Sequence, residues 1–201
     1  MRILAVSGSL RESSFNTSLL RAAIEATPDG VELELWEGLG DLPLYDDDLD
    51  GNVAGKAGDV HRKAWESDVP ESVRRLREDW AAADAILFAT PEYNGSVPGG
   101  LKNAIDWASR PKLEAVLRNK TVAVVGASTG RFGALWAQQD LKRILGIAGA
   151  RVVGTEIPVS LAHERFDTEG RLLDGEIFEQ LRLHLTTLAS EAVAVPERVA
   201  A

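Results

Sequence analysis

The chain has 201 residues, with 22 Lys and Arg against 31 Asp and Glu (formal charge −9), and no cysteine. At about 150 residues per domain this length fits one domain, which can bury a full core without staples. The missing thiols exclude disulfides, thiolate catalysis, zinc–thiolate centres and iron–sulfur clusters held by this chain. The acid excess argues against broad binding to nucleic acid or anionic lipid, so a phosphate ligand needs a local device instead of a general positive field.

Ile3 to Val6 reads as a buried strand. The apolar run from Met1 is too short for a signal peptide, and no stretch approaches the ~20 apolar residues of a membrane span, so a cytoplasmic protein is expected. Thr17 to Ala26 places Leu19, Leu20, Ala23 and Ile24 at helical spacing, and Pro28-Asp29-Gly30 stops it. Val31 to Trp36 alternates apolar and acidic residues, the pattern of a half-exposed strand near a sheet edge. Residues 37 to 67 are rich in glycine and read as loop.

Val69 to Ala83 is predicted helical, with Val73, Leu76 and Trp80 on one face. Ala85 to Ala89 and Thr121 to Val125 are nearly all-apolar strands, separated by a helix from Pro98 to Ala108 with proline in its first turn. Gly133 opens a helix to about Leu145, Arg151 to Ile157 is a fifth strand, and Ile177 to Ala189 a final helix. Apolar strands alternating with helices mean a parallel sheet covered on both faces. Five strands fit a three-layer, flavodoxin-like α/β fold of strand order 2-1-3-4-5, one domain over residues 1–190 with a tail at 191–201.

In such sheets ligands sit beyond the carboxyl ends of the strands. After strand one, residues 7–18 offer many hydroxyls, Arg11 and the backbone amides of a helix start, groups suited to a terminal phosphate monoester. An ordinary Ser/Thr/Asn cap is the plainer alternative. After strand three, Thr90 to Gly100 contains an Asn94-Gly95 turn and the flat side chain of Tyr93, able to meet the edge of a heterocycle or simply to turn the chain. After strand four, Gly126-Ala127-Ser128-Thr129-Gly130 matches G-x-S-x-G, the nucleophile elbow of serine hydrolases, with Asp167 or Asp174 and His184 downstream in the right order. A histidine inside a helix and the lack of an HGGG-type oxyanion segment count against that reading.

Asp46 to Gly51 copies the start of a calcium loop, but Ala57 stands where its bidentate Glu belongs, leaving a solvated acidic loop and no metal. His61, His163 and His184 lack ligand spacing and are assigned to surface or capping positions. Trp36, Trp65, Trp80, Trp107 and Trp136 are assigned to the core or to subunit contacts.

The run Gly8-Ser9-Leu10-Arg11-x-x-Ser14-Phe15-Asn16 and the run from Pro91 to Trp107 together resemble the NADPH-dependent FMN reductases, a flavodoxin-like family of quinone, chromate and azo reductases. The resemblance covers roughly residues 2–157, with a longer stretch than usual between Asp46 and Pro70. It implies that Ser9, Arg11, Ser14, Asn16 and Thr17 hold the FMN phosphate. Pro91, Glu92, Tyr93, Asn94 and Gly95 would line the isoalloxazine edge, and Ser128, Thr129 and Gly130 its other side. It further implies ping-pong hydride transfer from NADPH or NADH to a small acceptor such as a quinone, flavin, azo compound or chromate. No catalytic side chain is required, and the assembly would be a homodimer or homotetramer. A flavodoxin-like electron carrier is the alternative. The helix from Pro98 to Ala108 is expected to leave part of its Leu101, Ile105 and Trp107 surface for another subunit.

Overall fold

The computed structural model describes residues 1–50, 69–112 and 114–194. Its elements in chain order are β1 (Arg2–Ser7), α1 (Phe15–Glu25), β2 (Glu32–Trp36), α2 (Glu71–Ala82), β3 (Ala85–Ala89), α3 (Gly99–Ala108), β4 (Thr121–Ala127), α4 (Leu135–Ile147), β5 (Arg151–Val152), β6 (Pro158–Val159), α5 (Ala162–Arg165) and α6 (Gly175–Val193). All strand pairs are parallel, in the order β2-β1-β3-β4-β5, with β6 also paired to β4.

The layers follow from strand alternation. Successive side chains point to opposite faces of a sheet, and Ile3, Ala5 and Leu87 pack with Leu19 and Leu20 of α1 and Leu181, Leu185 and Leu188 of α6. Leu4, Val6, Ile86, Phe88, Val122 and Val124 point the other way, into Leu76 and Trp80 of α2, Leu101 and Ile105 of α3, and Leu141 and Leu145 of α4. Every residue of β3 and β4 is buried, as a strand covered on both sides requires, while β2 is the half-exposed edge.

The fifth strand departs from the expected Arg151 to Ile157. The chain pairs with β4 at Arg151–Val152, leaves the sheet, and rejoins it at Pro158–Val159. The buried side chain of Gln138 fills the gap: its Nε2 donates to the carbonyls of Gly133 (3.1 Å) and Ile157 (3.3 Å), and its Oε1 accepts from the Ile157 N–H (3.0 Å). Helix α4 starts two residues after Gly133 because Gly133 and Ala134 both adopt the left-handed region. Helix α6 continues through Val193, into the expected tail.

Helix α3 buries its whole apolar surface within the chain: Leu101, Ile105 and Trp107 are at most 2% exposed. The expectation that part of it meets another subunit is corrected by the segment before residue 50, which folds over the helix. The Trp107 indole N–H donates to the Pro43 carbonyl (2.9 Å), as does Asn103 Nδ2 (2.8 Å), and the Tyr45 ring meets Trp107 edge-on at 4.8 Å. The acidic loop is likewise not wholly solvated. Asp50 is buried in an ion pair with Arg77, which also donates to the Trp107 carbonyl from Nε (3.2 Å) and Nη2 (3.1 Å). Gly51, Ala57, His61 and Trp65 lie outside the described residues. Trp36, Trp80 and Trp107 are core residues, whereas Trp136 is half exposed.

His184 is neither at the surface nor a cap. It stands on the inner face of α6 with Leu181, Leu185 and Leu188, packed against Gly154, and its Nε2 has no hydrogen-bond partner. Burial, with Lys142 adding repulsion and Glu156 opposing it, pushes its pKa down to about 4. The unfolded imidazole takes up a proton near pH 6.5, so between these values unfolding binds a proton and acid destabilises the fold. Urea denaturation should show His184→Leu gaining on the wild type by about 1.4 kcal/mol per pH unit from pH 6.5 down to 4, or about 3 kcal/mol in all. A constant difference across that window would refute the assignment.

Candidate functional site

The loops after β1, β3 and β4 meet in one open cleft of about 170 Å³, lined by Ser9, Arg11, Ser14, Phe15, Asn16, Pro91, Glu92, Tyr93, Ala127, Ser128 and Thr129. Nine of the thirteen residues proposed from sequence are among them. Thr17, Asn94, Gly95 and Gly130 belong to the same loops but do not line the cleft. Phe15 and Ala127 do line it and were not singled out. Each adjoins a proposed residue (Asn16 and Ser128), and that adjacency was the available signal.

The first loop leaves β1 at Gly8, whose N–H donates to the Ala89 carbonyl (2.8 Å). A Cβ at Gly8 would stand 2.7 Å from Leu101 Cδ2, so this close passage over α3 admits only glycine without repacking. Ser14 caps α1, its Oγ accepting from the N–H groups of Asn16 (3.2 Å) and Thr17 (3.4 Å). Asn16 is buried, and its amide pairs with the backbone of Ala127 in both directions: Nδ2 donates to the carbonyl (3.0 Å) and Oδ1 accepts from the N–H (2.9 Å). Thr17 Oγ1 is hydrogen-bonded to Ser7 Oγ (2.9 Å). Arg11 donates from Nη2 to the Ser13 carbonyl (2.6 Å), and its guanidinium lies 5.5 Å from the centre of the Phe15 ring.

The second loop is a two-residue hairpin. Tyr93 and Ser96 exchange backbone hydrogen bonds at 3.1 and 3.2 Å, and Asn94 and Gly95 have φ of 54° and 75°. That is the type I′ geometry, which Asn-Gly adopts at low cost. The turn is tied to α4 twice. Ser96 Oγ donates to Asp140 Oδ2 (2.5 Å), and Glu92 Oε2 accepts from the Ala137 N–H in the first turn of α4 (3.2 Å). The Ser96 hydroxyl, and then Arg143, hold the Asp140 carboxyl below the usual carboxylate range.

In the third loop the Ser128 N–H donates to the Val159 carbonyl (3.0 Å), and the Ser128 carbonyl accepts from the Ala162 N–H (3.0 Å). Its Oγ accepts from the Gly130 N–H (3.0 Å). This is not a nucleophile elbow. Ser128 keeps an ordinary negative φ where the elbow is strained. His184 lines a different recess, with Gly154 and Glu156. Asp174 caps α6 and pairs with Arg165, and Asp167 pairs with Arg171.

A larger groove of about 630 Å³ runs between α3 and α4. Within it Lys102 pairs with Asp106 and Arg143 with Asp140, and it lies away from the β1 and β4 strand ends. The strand-end cleft is the better candidate, because open parallel sheets bind ligands there.

A doubly wound sheet of order 2-1-3-4-5 with such a cleft defines a flavodoxin-like α/β protein. The family model of the NADPH-dependent FMN reductases matches residues 1–164. The chain is 40% identical over 189 residues to an NAD(P)H-dependent FMN reductase of Pseudomonas aeruginosa, covering 94% of this chain and 93% of that one. It is 33% identical over 195 residues to a 2-hydroxy-1,4-benzoquinone reductase of a Burkholderia species, covering 96% and 95%. Among solved structures it is similar to FerB, a flavoenzyme NAD(P)H:(acceptor) oxidoreductase of Paracoccus denitrificans, with TM-score 0.79, 32% identity and 96% and 97% of the two chains covered. The chain belongs to the NADPH-dependent FMN reductase family and is an oxidoreductase. No helix among the described residues is long and apolar enough to cross a membrane.

Truncating Asn16 strands the Ala127 N–H and carbonyl without partners. Asn16→Ala should lower stability by about 2–4 kcal/mol, read as a shifted urea midpoint at unchanged slope. A loss below 0.5 kcal/mol would show that these two bonds do not hold the loops together.

Proposed function

We propose that the chain binds FMN in the strand-end cleft and passes two electrons from NADPH or NADH, in a ping-pong cycle, to a small acceptor of the quinone class. The observation that carries this reading is the convergence of the three loops on one open cleft whose inner end is a helix N-terminus with a cation beside it.

The residues present fit a flavin mononucleotide. The cap side chain of Ser14 takes two first-turn amides of α1, and the Phe15 N–H has no acceptor among the described residues, so it is left for an anion. Arg11 has five N–H donors and commits one to Ser13, keeping others for a phosphate. Ser9, Ser14 and Thr17 complete the phosphate end in this reading, and Asn16 holds the loop in shape through Ala127. Pro91 to Gly95 would meet one edge of the ring, and Ser128, Thr129 and Gly130 the other.

When bound, FMN supplies the two-electron redox chemistry, and the protein binds and orients it. The cleft of about 170 Å³ is smaller than the roughly 300–1,000 Å³ of pockets that enclose a ligand of this size. In this reading the described residues would meet one end and one edge of the FMN, and donor and acceptor would follow one another over its face. The redox chemistry in this reading needs no proton relay from a side chain. The acceptor class is supported by the named activities of the relatives. We propose that the protein is cytoplasmic, as its sequence leads one to expect, and that it assembles as a homodimer or homotetramer, as the resemblance implies.

Arg11→Ala should fold normally and bind FMN about 10- to 100-fold more weakly, the loss of a charge-assisted contact of roughly 1.5–3 kcal/mol. Fluorescence titration of the apoprotein measures this, and an unchanged Kd would overturn the phosphate assignment. Ser128→Ala should keep bound FMN and lose no more than about tenfold in NAD(P)H:quinone activity, since it removes one hydroxyl and leaves the loop's backbone amides. A hydrolytic nucleophile would instead cost on the order of 10⁶ in rate. The electron-carrier alternative fails if the pure protein turns over NAD(P)H with a quinone.

A further inference from the structure

We infer that the exposed aromatic pair Phe132–Trp136, which adjoins residues lining the strand-end cleft in its loop and through the Ala137–Glu92 hydrogen bond, is the landing surface for a planar aromatic electron acceptor and a determinant of acceptor specificity. The inference rests on the proposed function for the chemistry of the acceptor, and on geometry of its own for the place.

Phe132 is 53% exposed and Trp136 48%, while Trp80 and Trp107 are wholly buried. Their rings contact one another at 4.6 Å between centres, tilted by 50°. Two large rings held together in water form an adhesive surface that the fold itself does not use.

The position of the pair is tied to the cleft from both sides. Phe132 follows Thr129, a lining residue, by three positions, in the same loop. Trp136 immediately precedes Ala137, whose N–H is held by the carboxylate of Glu92, a second lining residue. Tyr93, 54% exposed, stands next to Glu92 and lines the cleft as well.

The pair is also held in place. Gly133 and Ala134, between the two rings, have φ of 56° and 59°. A Cβ on Gly133 would meet the backbone of Pro158, Val159 and Ser160 at 2.5–2.7 Å, so this turn is wedged against β6. A left-handed alanine persists only where its surroundings over-determine it, and such strain gathers at functional positions. The backbone here is spent on presenting Phe132 outward, in the same loop as the cleft-lining residue Thr129. A flat, electron-poor ring reaching the open face of that cleft would stack against the pair, which favours a quinone over a compact inorganic oxidant.

The experiment compares kcat/KM for 1,4-naphthoquinone with kcat/KM for ferricyanide in the holoenzyme and in Phe132→Ala, Trp136→Ala and Trp136→Phe. The quinone-to-ferricyanide ratio should fall at least fivefold in the alanine variants, through KM for the quinone, and be largely restored by Trp136→Phe. Titrating the oxidised holoenzyme with 1,4-naphthoquinone reads the same surface without turnover, and its Kd should rise at least fivefold in Trp136→Ala. An unchanged ratio and Kd, or an equal fall for both acceptors, overturns the inference. So does a drop in the mass measured by light scattering, which would assign the pair to a second copy of the chain. A wild type that binds the quinone but oxidises no NADPH sinks the proposed function while the titration still decides this surface.

Discussion

The reciprocal pairing between the Asn16 amide and the backbone of Ala127 is the contact on which the site depends. It crosses 111 positions of sequence and joins the first turn of α1 to the end of β4, bringing the first and third loops to a common wall. A buried amide that donates and accepts with one peptide unit leaves no freedom in the angle between the two elements, because both bonds are strong only when nearly linear. The neighbouring atoms follow from it: Ser14 caps the helix, Thr17 reaches back to Ser7, and Ser128 begins its loop already held by Val159.

The second loop enters by a different route. Its hairpin has the twist of the type I′ turn, so Tyr93 is presented without support from the sheet. Helix α4 then secures it through Asp140 and the Ala137 N–H. The same helix carries Gln138, which stands in for the missing stretch of the fifth strand. One helix thus fixes the second loop and the path of the chain beyond the third, and the aromatic pair at its start shares that rigidity.

Much of this was legible in the residues. The strands β1, β3 and β4 could be read because a strand buried on both faces must be apolar throughout, and Ala85 to Ala89 begins and ends where its apolar run does. The three loops could be read because the carboxyl ends of parallel strands are where such sheets bind. The fifth strand could not, since Arg151 to Ile157 looks continuous and its interruption depends on a glutamine side chain one helix earlier. His184 belongs to the buried stripe that Leu181, Leu185 and Leu188 mark at helical spacing, although its polar ring and lack of ligand spacing point to the surface. The covering of Trp107 was out of reach, because the group that satisfies its indole belongs to a loop with no periodicity to read. Trp136 was expected in the core or at a subunit contact and is half exposed, and Phe132 was assigned no place, since an aromatic residue at a loop end or in a first helical turn gives no sign of being left in water.

The fold of residues 42–50 over α3 has a consequence for how the protein opens. Pro43 accepts from Trp107 and Asn103, Asn103 accepts from the Tyr45 N–H, and Asp50 neutralises Arg77, so these bonds share a few residues at their hubs. Releasing Asp50 would strand the buried Arg77 guanidinium, and the remaining bonds are part-buried and shared, so they tie the segment into one unit. Lifting it would expose an indole, an amide and a guanidinium at once while leaving the parallel sheet intact. The shared contacts therefore favour opening of this stretch as one unit, ahead of the parallel sheet.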